Sequence, residues 1–157
     1  MFKKIVKLFI FVLICLGAGF LGSVFTTPSI PTWYANLNKP SFNPPNWLFA
    51  PVWTILFILM GFAGFLIWQK GFKNKKVKKA LAFFLAQLVL NVLWSFLFFK
   101  FHSPFLALLD IIILWFLILL TTIKFFKINN VAGLLLIPYL LWVSFASLLN
   151  YAVYRLN

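Results

Sequence analysis

Acidic residues are almost missing from this sequence, which has Asp110 as its only side-chain carboxylate. It also has one histidine, His102, and one cysteine, Cys15. A single cysteine excludes an intrachain disulfide and a cysteine metal site. One acid and one histidine leave no carboxylate pair, catalytic triad or metal cluster. No phosphate-binding loop is present, which argues against an ATP-driven transporter.

Basic and apolar residues are abundant, in contrast. Lysine and arginine total 14 and the net charge is +13, while 64% of residues are hydrophobic and 21% aromatic, with a mean hydropathy of +1.06. Ordinary globular chains are about half apolar. Because the basic residues flank apolar runs and no soluble basic surface remains, the composition predicts a protein surrounded by membrane lipid and no nucleic-acid partner.

Five apolar runs have about the length of ~20 residues that a helix needs to cross a bilayer. They do not alternate as barrel strands do. The sequence therefore predicts an all-α membrane protein, a five-transmembrane-helix bundle with a long structured first loop. We expect a single domain over residues 1–157, with helices at about 5–27, 47–69, 80–99, 105–126 and 131–154 and a lid loop at about 28–46.

The basic residues also predict the orientation in the membrane. Eleven lie at the amino end and in the second and fourth connections, and only Lys39, Lys100 and Arg155 fall on the other side. The positive-inside rule then places the amino terminus in the cytoplasm and the first loop and carboxyl terminus outside, in a plasma or inner membrane. The first run lacks a small-x-small cleavage site, which favours a retained helix over a signal peptide.

The first loop is unusually rich in aromatic and proline residues. Its prolines restrict the backbone and prevent a long helix. A loop of this composition is not expected to extend into water, so we predict that it folds over the bundle as a lid. Trp47 and Trp68 bracket the second span and are typical of the interfacial aromatic belt.

The stretch WYANLNKPSFNPPNWLFAPVWTILFILMG, residues 33–61, resembles the signature of the TspO/MBR family. These are the tryptophan-rich sensory or translocator proteins, also called peripheral-type benzodiazepine receptors. AQLVLNVLWSFLFFKFHSPFLALLD resembles the family's third helix and the start of its fourth, and LLIPYLLWVSFASLLNYAVYRLN resembles its fifth. The resemblance covers essentially the whole chain.

The resemblance implies a five-helix protein, often a homodimer, with a pocket under the first loop. That pocket would bind porphyrins and other tetrapyrroles, such as protoporphyrin IX or haem, and possible further ligands include sterols; no cofactor is required. Some members are reported to degrade protoporphyrin IX in light. The alternatives to a receptor or transporter are therefore a light- and oxygen-dependent porphyrin-degrading enzyme and a membrane stress sensor without transport.

Helical spacing and the resemblance together indicate the ligand-binding residues. Trp53 and Phe57 share a helical face, as do Asn91 and Phe98 on the third helix. The aromatic rings suit a planar macrocycle, whereas Asn91 serves either as interhelical glue or as a ligand hydrogen-bond partner. The predicted set is Trp33, Tyr34, Pro44, Trp53, Phe57, Asn91, Trp94, Phe98, Trp142 and Ala146. Trp53 and Trp142 are also the candidate catalytic residues for photo-oxidation.

Four further features lead to separate predictions. Asp110 is either paired structurally with a nearby Asn, Gln or Tyr or catalytic. His102 is either a solvated loop residue or a haem axial ligand. Ala82 and Ala86 form a small-xxx-small pair that we expect at a homodimer contact. The tail LNYAVYR matches a weak sterol-binding pattern that also fits many helix ends by chance.

Overall fold

Five long helices make up most of the computed structural model, which describes all residues 1–157. They are α1 (Phe2–Ser29), α2 (Asn46–Trp68), α3 (Lys75–Ser95), α4 (Pro104–Ile128) and α5 (Asn130–Leu156). Each is long and apolar enough to cross a membrane. The predicted five-helix bundle is therefore confirmed.

Side-chain caps fix three of the helix starts. The side chain of Asn74 accepts a hydrogen bond from the Lys76 amide, Ser103 from Leu106, and Asn129 from Ala132. Each cap satisfies a backbone donor that has no partner inside its helix. Asn129 alone separates α4 from α5, so these two helices run antiparallel side by side.

The helices extend past the apolar runs, most clearly at α3, which begins at Lys75 in a lysine-rich segment. At its other end α3 widens into a π-helical turn, Phe96–Lys100, closed by a 2.8 Å hydrogen bond from the Phe101 amide to the Phe96 carbonyl. His102 follows with φ 55°. This compact turn leads directly into α4.

The helices form a closed ring in the order α1, α2, α5, α4, α3. Each of them packs chiefly against its two neighbours in that ring. At one end of the bundle the interior is solid, with the rings of Phe84 and Phe125 stacked at 5.7 Å and both side chains fully buried. This end also contains the lysine-rich α2–α3 connection.

Two glycines of α2 allow α1 to pack closely against it. A Cβ added at Gly61 would lie 2.6 Å from the Val12 Cα, and one at Gly64 would lie 2.6 Å from the Phe11 ring. Small residues allow this kind of approach between membrane helices. Nearer the first loop, α1 meets α2 at Gly19 and the Phe57 ring.

The first loop is ordered and packed on the end of the bundle opposite the lysine-rich connection. The Trp33 indole stacks on the His102 imidazole, with 4.5 Å between centroids and 8° between planes. The Asn157 side chain accepts from the Asn38 amide at 3.0 Å and donates to the Asn38 carbonyl at 2.9 Å. These contacts tie the loop to the α3–α4 turn and to the end of α5.

Candidate functional site

A cavity of about 420 Å³ lies beneath the first loop, between α1, α2, α3 and α5. Its volume falls in the range of about 300–1,000 Å³ typical of small-molecule sites. Most of its lining is apolar or aromatic. Its position follows from the fold, because the solid packing of the other end is replaced here by a gap that the loop covers.

Eight of the ten residues predicted to bind ligand line this cavity, and four helical or loop segments supply them. They are Tyr34 from the loop, Trp53 and Phe57 from α2, Asn91, Trp94 and Phe98 from α3 and its π turn, and Trp142 and Ala146 from α5. Residues distant in sequence thus meet around one space.

The other two predicted residues, Trp33 and Pro44, do not line the cavity. The Trp33 ring is occupied by its stack on His102 and by an edge contact with Phe98 at 5.5 Å. The Pro44 carbonyl accepts a hydrogen bond from the side chain of Asn43, which does line the cavity. Both residues therefore support the lid, and direct ligand contact by either stays a prediction.

Flat aromatic surfaces form much of the wall. Trp53 stacks on Phe57 at 5.6 Å, and Trp94 stacks on Phe98 at 5.2 Å. Trp142 is held edge-on by Phe49 at 6.1 Å. Rings fixed in this way offer broad, rigid apolar faces, which suit a planar ligand.

A hydrogen-bond network lies beside the cavity and connects α3 with α5. The Asn91 amide donates to the Tyr139 hydroxyl at 2.7 Å, and that hydroxyl donates to the Gln87 carbonyl oxygen at 2.7 Å. Asn91 thus links α3 to α5 through a hydrogen bond, which is one of its two predicted roles. Its Oδ1 has no protein partner, so it remains an acceptor at the cavity wall.

Tyr139 and Asn150 were not singled out from the sequence, although both hold the site together. Tyr139 is 1% exposed, and the Asn150 side chain accepts from the Trp94 indole at 2.9 Å and donates to the Pro104 carbonyl at 2.8 Å. A polar group inside an apolar span must find a partner in the bundle. Their position within the fifth apolar run was therefore the signal that could have identified them.

We expect Tyr139→Phe to lower the free energy of unfolding by about 2 kcal/mol, since it leaves the Asn91 amide and the Gln87 carbonyl unpaired in a dry interior. Thermal or denaturant unfolding in detergent would measure this. Tyr151→Phe is the matched control, because Tyr151 lies on the same helix and is 50% exposed. Equal effects of the two substitutions would contradict the role of the network.

The cavity opens sideways rather than through the loop. Its exposed lining residues all belong to α1 or α2: Phe20, Ser23, Thr27, Asn46, Ala50 and Thr54. The residues contributed by the loop, α3 and α5 are buried or half-buried. The solvent-accessible edge of the cavity therefore lies along α1 and α2, on the loop side of their contact at Gly19 and Phe57.

The loop contributes one titratable group to the lining. Burial raises the pKa of the Tyr34 hydroxyl above its ordinary value, and its hydrogen bond to Asn43 opposes that rise without cancelling it. The neutral hydroxyl donates to Asn43 Oδ1 at 3.3 Å. Tyr34 therefore adds a polar but uncharged group under the lid.

Asp110 and His102 both lie away from the cavity lining. Asp110 is buried on α4, and its Oδ2 has no hydrogen-bond partner, so the expected pairing with an Asn, Gln or Tyr is absent. His102 is exposed and stacked on Trp33. Because it points to the loop and not to the cavity, the geometry favours its interpretation as a loop residue over that as a haem ligand.

Comparison with known proteins gives consistent results along the whole chain. The TspO/MBR family model matches residues 11–155. The tryptophan-rich protein TspO of Chlorobaculum tepidum is 47% identical over 155 residues, covering 99% of this chain and 98% of the relative. The same-named protein of Archaeoglobus fulgidus is 48% identical over 98% of this chain and 99% of its own. The translocator protein of Homo sapiens is 38% identical over 88% of this chain and 82% of its own.

Proposed function

The chain belongs to the TspO/MBR family of multi-pass membrane proteins, and from this premise we propose that it is a receptor or transporter-like protein for porphyrins and other tetrapyrroles. The observation that carries the proposal is the 420 Å³ cavity with stacked aromatic walls beneath the loop. Protoporphyrin IX or haem is the ligand class, and other flat hydrophobic molecules, including sterols, fit the same chemistry. The protein requires no cofactor in this role.

The cavity chemistry supports a flat ligand with a few polar edges. Trp53 and Trp94 offer ring faces, while Asn91 Oδ1 and the Ser95 hydroxyl lie on the wall as polar groups. A ring stack contributes about 0.5–1.5 kcal/mol beyond simple burial. We expect a porphyrin to suit this arrangement, because its macrocycle is planar and polar only at its carboxyl groups.

Access from the bilayer follows from the opening along α1 and α2. A hydrophobic ligand partitions into lipid before it meets the protein, and the exposed Phe20 and Thr54 lie where it would arrive. With the amino terminus in the cytoplasm, as the lysine distribution indicates, the opening faces the outer leaflet of a plasma or inner membrane. The loop would then be a fixed lid, and the ligand would not enter through it.

The decisive experiment is a titration of the purified protein in nanodiscs with protoporphyrin IX in darkness, followed by tryptophan fluorescence. We expect saturable binding that Trp53→Phe and Asn91→Ala weaken. A signal that rises linearly with porphyrin, without saturation, would reject the cavity as the binding site. Illumination of the same complexes in air then tests the alternative, since loss of porphyrin absorbance that depends on Trp53 or Trp142 would make the protein an enzyme.

We also propose a homodimer through α3. An exposed apolar stripe along that helix consists of Ala82, Leu85, Ala86 and Val89. Its two alanines would allow a second copy to approach closely. In a Cys15→Ala background, Ala82→Cys or Ala86→Cys should give a disulfide-linked dimer on mild oxidation in membranes. Ile113→Cys on α4, a position 57% exposed to lipid, is the control. Crosslinking of the control alone would place the contact elsewhere.

A further inference from the structure

The end of the bundle opposite the first loop is covered with lysine and has no acid. Its eleven cations form what we call the lysine face: Lys3, Lys4, Lys7, Lys70, Lys73, Lys75, Lys76, Lys78, Lys79, Lys124 and Lys127. All except Lys124 are exposed. Since the only side-chain carboxylate of the protein, Asp110, is buried near the other end of α4, none of these cations has an internal counter-charge.

At the start of α3 the positive charge is concentrated where it destabilises a helix. Lys75, Lys76, Lys78 and Lys79 occupy its first turns, where the helix dipole disfavours cations. Lysines three and four residues apart, such as Lys75 and Lys79, also repel each other. No carboxylate in the fold compensates for these effects, so an anion outside the chain would offset them.

Aromatic rings hold part of the lysine face in place around the rim of the bundle. The Lys7 amine lies 4.8 Å from the Trp68 ring centre, which joins α1 to α2. The Lys124 amine lies 4.9 Å from the Phe83 ring centre, which joins α4 to α3. Cations from separate helices are thus gathered at one level, which is the level where lipid headgroups would meet them.

Exposed apolar side chains accompany the lysines. Phe72 is 56% exposed in the α2–α3 connection, and the Lys78 amine lies 5.6 Å from its ring centre. Phe2 is 79% exposed at the start of α1. A phenyl ring beside an ammonium group matches a lipid interface, where the ring can reach acyl chains and the charge can reach a phosphate.

We propose that the lysine face is a binding surface for the headgroups of anionic phospholipids, such as phosphatidylglycerol. The surface offers many N–H donors at the level of the headgroup phosphates and has no anion of its own. Dense lysine clusters beside membrane spans attract anionic lipid in this way. Neutral phosphatidylcholine, whose phosphate is balanced by its own choline, would bind less well.

Trp68 provides a local reporter, because it is the only tryptophan at this end of the bundle. The experiment places the full-length protein in phosphatidylcholine nanodiscs that contain increasing fractions of brominated phosphatidylglycerol or brominated phosphatidylcholine. The difference between wild type and Trp68→Phe isolates quenching of this one ring. We expect half-maximal quenching at a mole fraction about tenfold lower for the anionic lipid.

Two quadruple variants test the charge itself. Substitution of Lys73, Lys75, Lys76 and Lys79 by glutamine should remove most of the preference, whereas arginine at the same positions should retain it. A second control, Lys100→Gln with Arg155→Gln, changes charge at the opposite end and should have no effect. Should the glutamine variant fail to fold, wild type in 1 M NaCl replaces it, because screening to ~3 Å should abolish the preference.

Three results would overturn the proposal. The first is equal quenching of wild type by both brominated lipids. The second is an equal preference in the glutamine and arginine variants. The third is displacement of the anionic lipid by inorganic phosphate beyond the effect of chloride at matched ionic strength, which would make the surface a site for free phosphate. Saturable binding of a poly-glutamate peptide together with equal lipid quenching would indicate an acidic protein partner instead.

Discussion

Gly61→Leu should be among the most damaging single substitutions in this protein and should lower the free energy of unfolding by about 3 kcal/mol. A Cβ at this position would lie 2.6 Å from the Val12 Cα and 3.0 Å from its backbone nitrogen. Backbone atoms cannot rotate away as the end of a side chain can, so α1 would have to move off α2. Thermal unfolding in detergent, followed by circular dichroism, would measure the loss.

Gly17→Leu is the matched control for this prediction, because Gly17 also lies in a membrane helix but has no atom within 4 Å of its added Cβ. The substitution should leave stability unchanged or raise it slightly, since glycine is a poor helix former. Gly61→Ala should fall between the two. If both leucine variants were equally stable, close contact between α1 and α2 would not be what holds the bundle together.

The five spans and the packed loop could be predicted because their signals are local. A run of apolar residues about as long as the bilayer is thick has few alternatives to a membrane helix. The repeated prolines between Pro31 and Pro45 exclude a long helix in the loop and leave compact structure as the remaining choice. The number and length of the apolar runs were therefore enough for the fold class.

The exact helix limits and the partner of each side chain could not be predicted, because they depend on residues distant in sequence. Lys75 and its neighbours look like a polar connection, yet Asn74 caps a helix there and buried Val77 anchors it. Gly61 is one glycine in an apolar run, and only the position of Val12 shows why it is needed.

In the candidate site, too, some features could be predicted from local sequence and others depend on residues distant in sequence. Trp53, Asn91 and Trp142, which helical periodicity and the family motif both mark, line the cavity, and their contact with a ligand stays a prediction. Trp33 belongs to the same motif but stacks on His102, a contact between the first loop and the α3–α4 turn. Sequence indicates candidate residues for this region, whereas three-dimensional packing decides whether a ring lines the cavity or supports the lid.

Ala146→Phe should strongly weaken specific porphyrin binding while the bundle stays folded. Ala146 lies on the cavity wall one helical turn from Trp142, so a phenyl group at this position would occupy the space that the ligand needs. We expect the dissociation constant for protoporphyrin IX to rise at least tenfold, equivalent to about 1.4 kcal/mol. Titration in nanodiscs in darkness would measure it. The unfolding temperature should change little, because the added ring fills empty volume.

Leu141→Phe tests whether the loss comes from the cavity and not from an extra ring on α5. Leu141 is 65% exposed on the lipid-facing side of the same helix, so its substitution should leave binding unchanged. The comparison matters because 7 tryptophans and 22 phenylalanines give any hydrophobic porphyrin many weak surfaces to meet. Quenching by such surfaces would survive Ala146→Phe and Leu141→Phe alike. Only binding inside the bundle would be weakened by Ala146→Phe and not by Leu141→Phe, because the lipid-facing ring leaves the cavity volume unchanged.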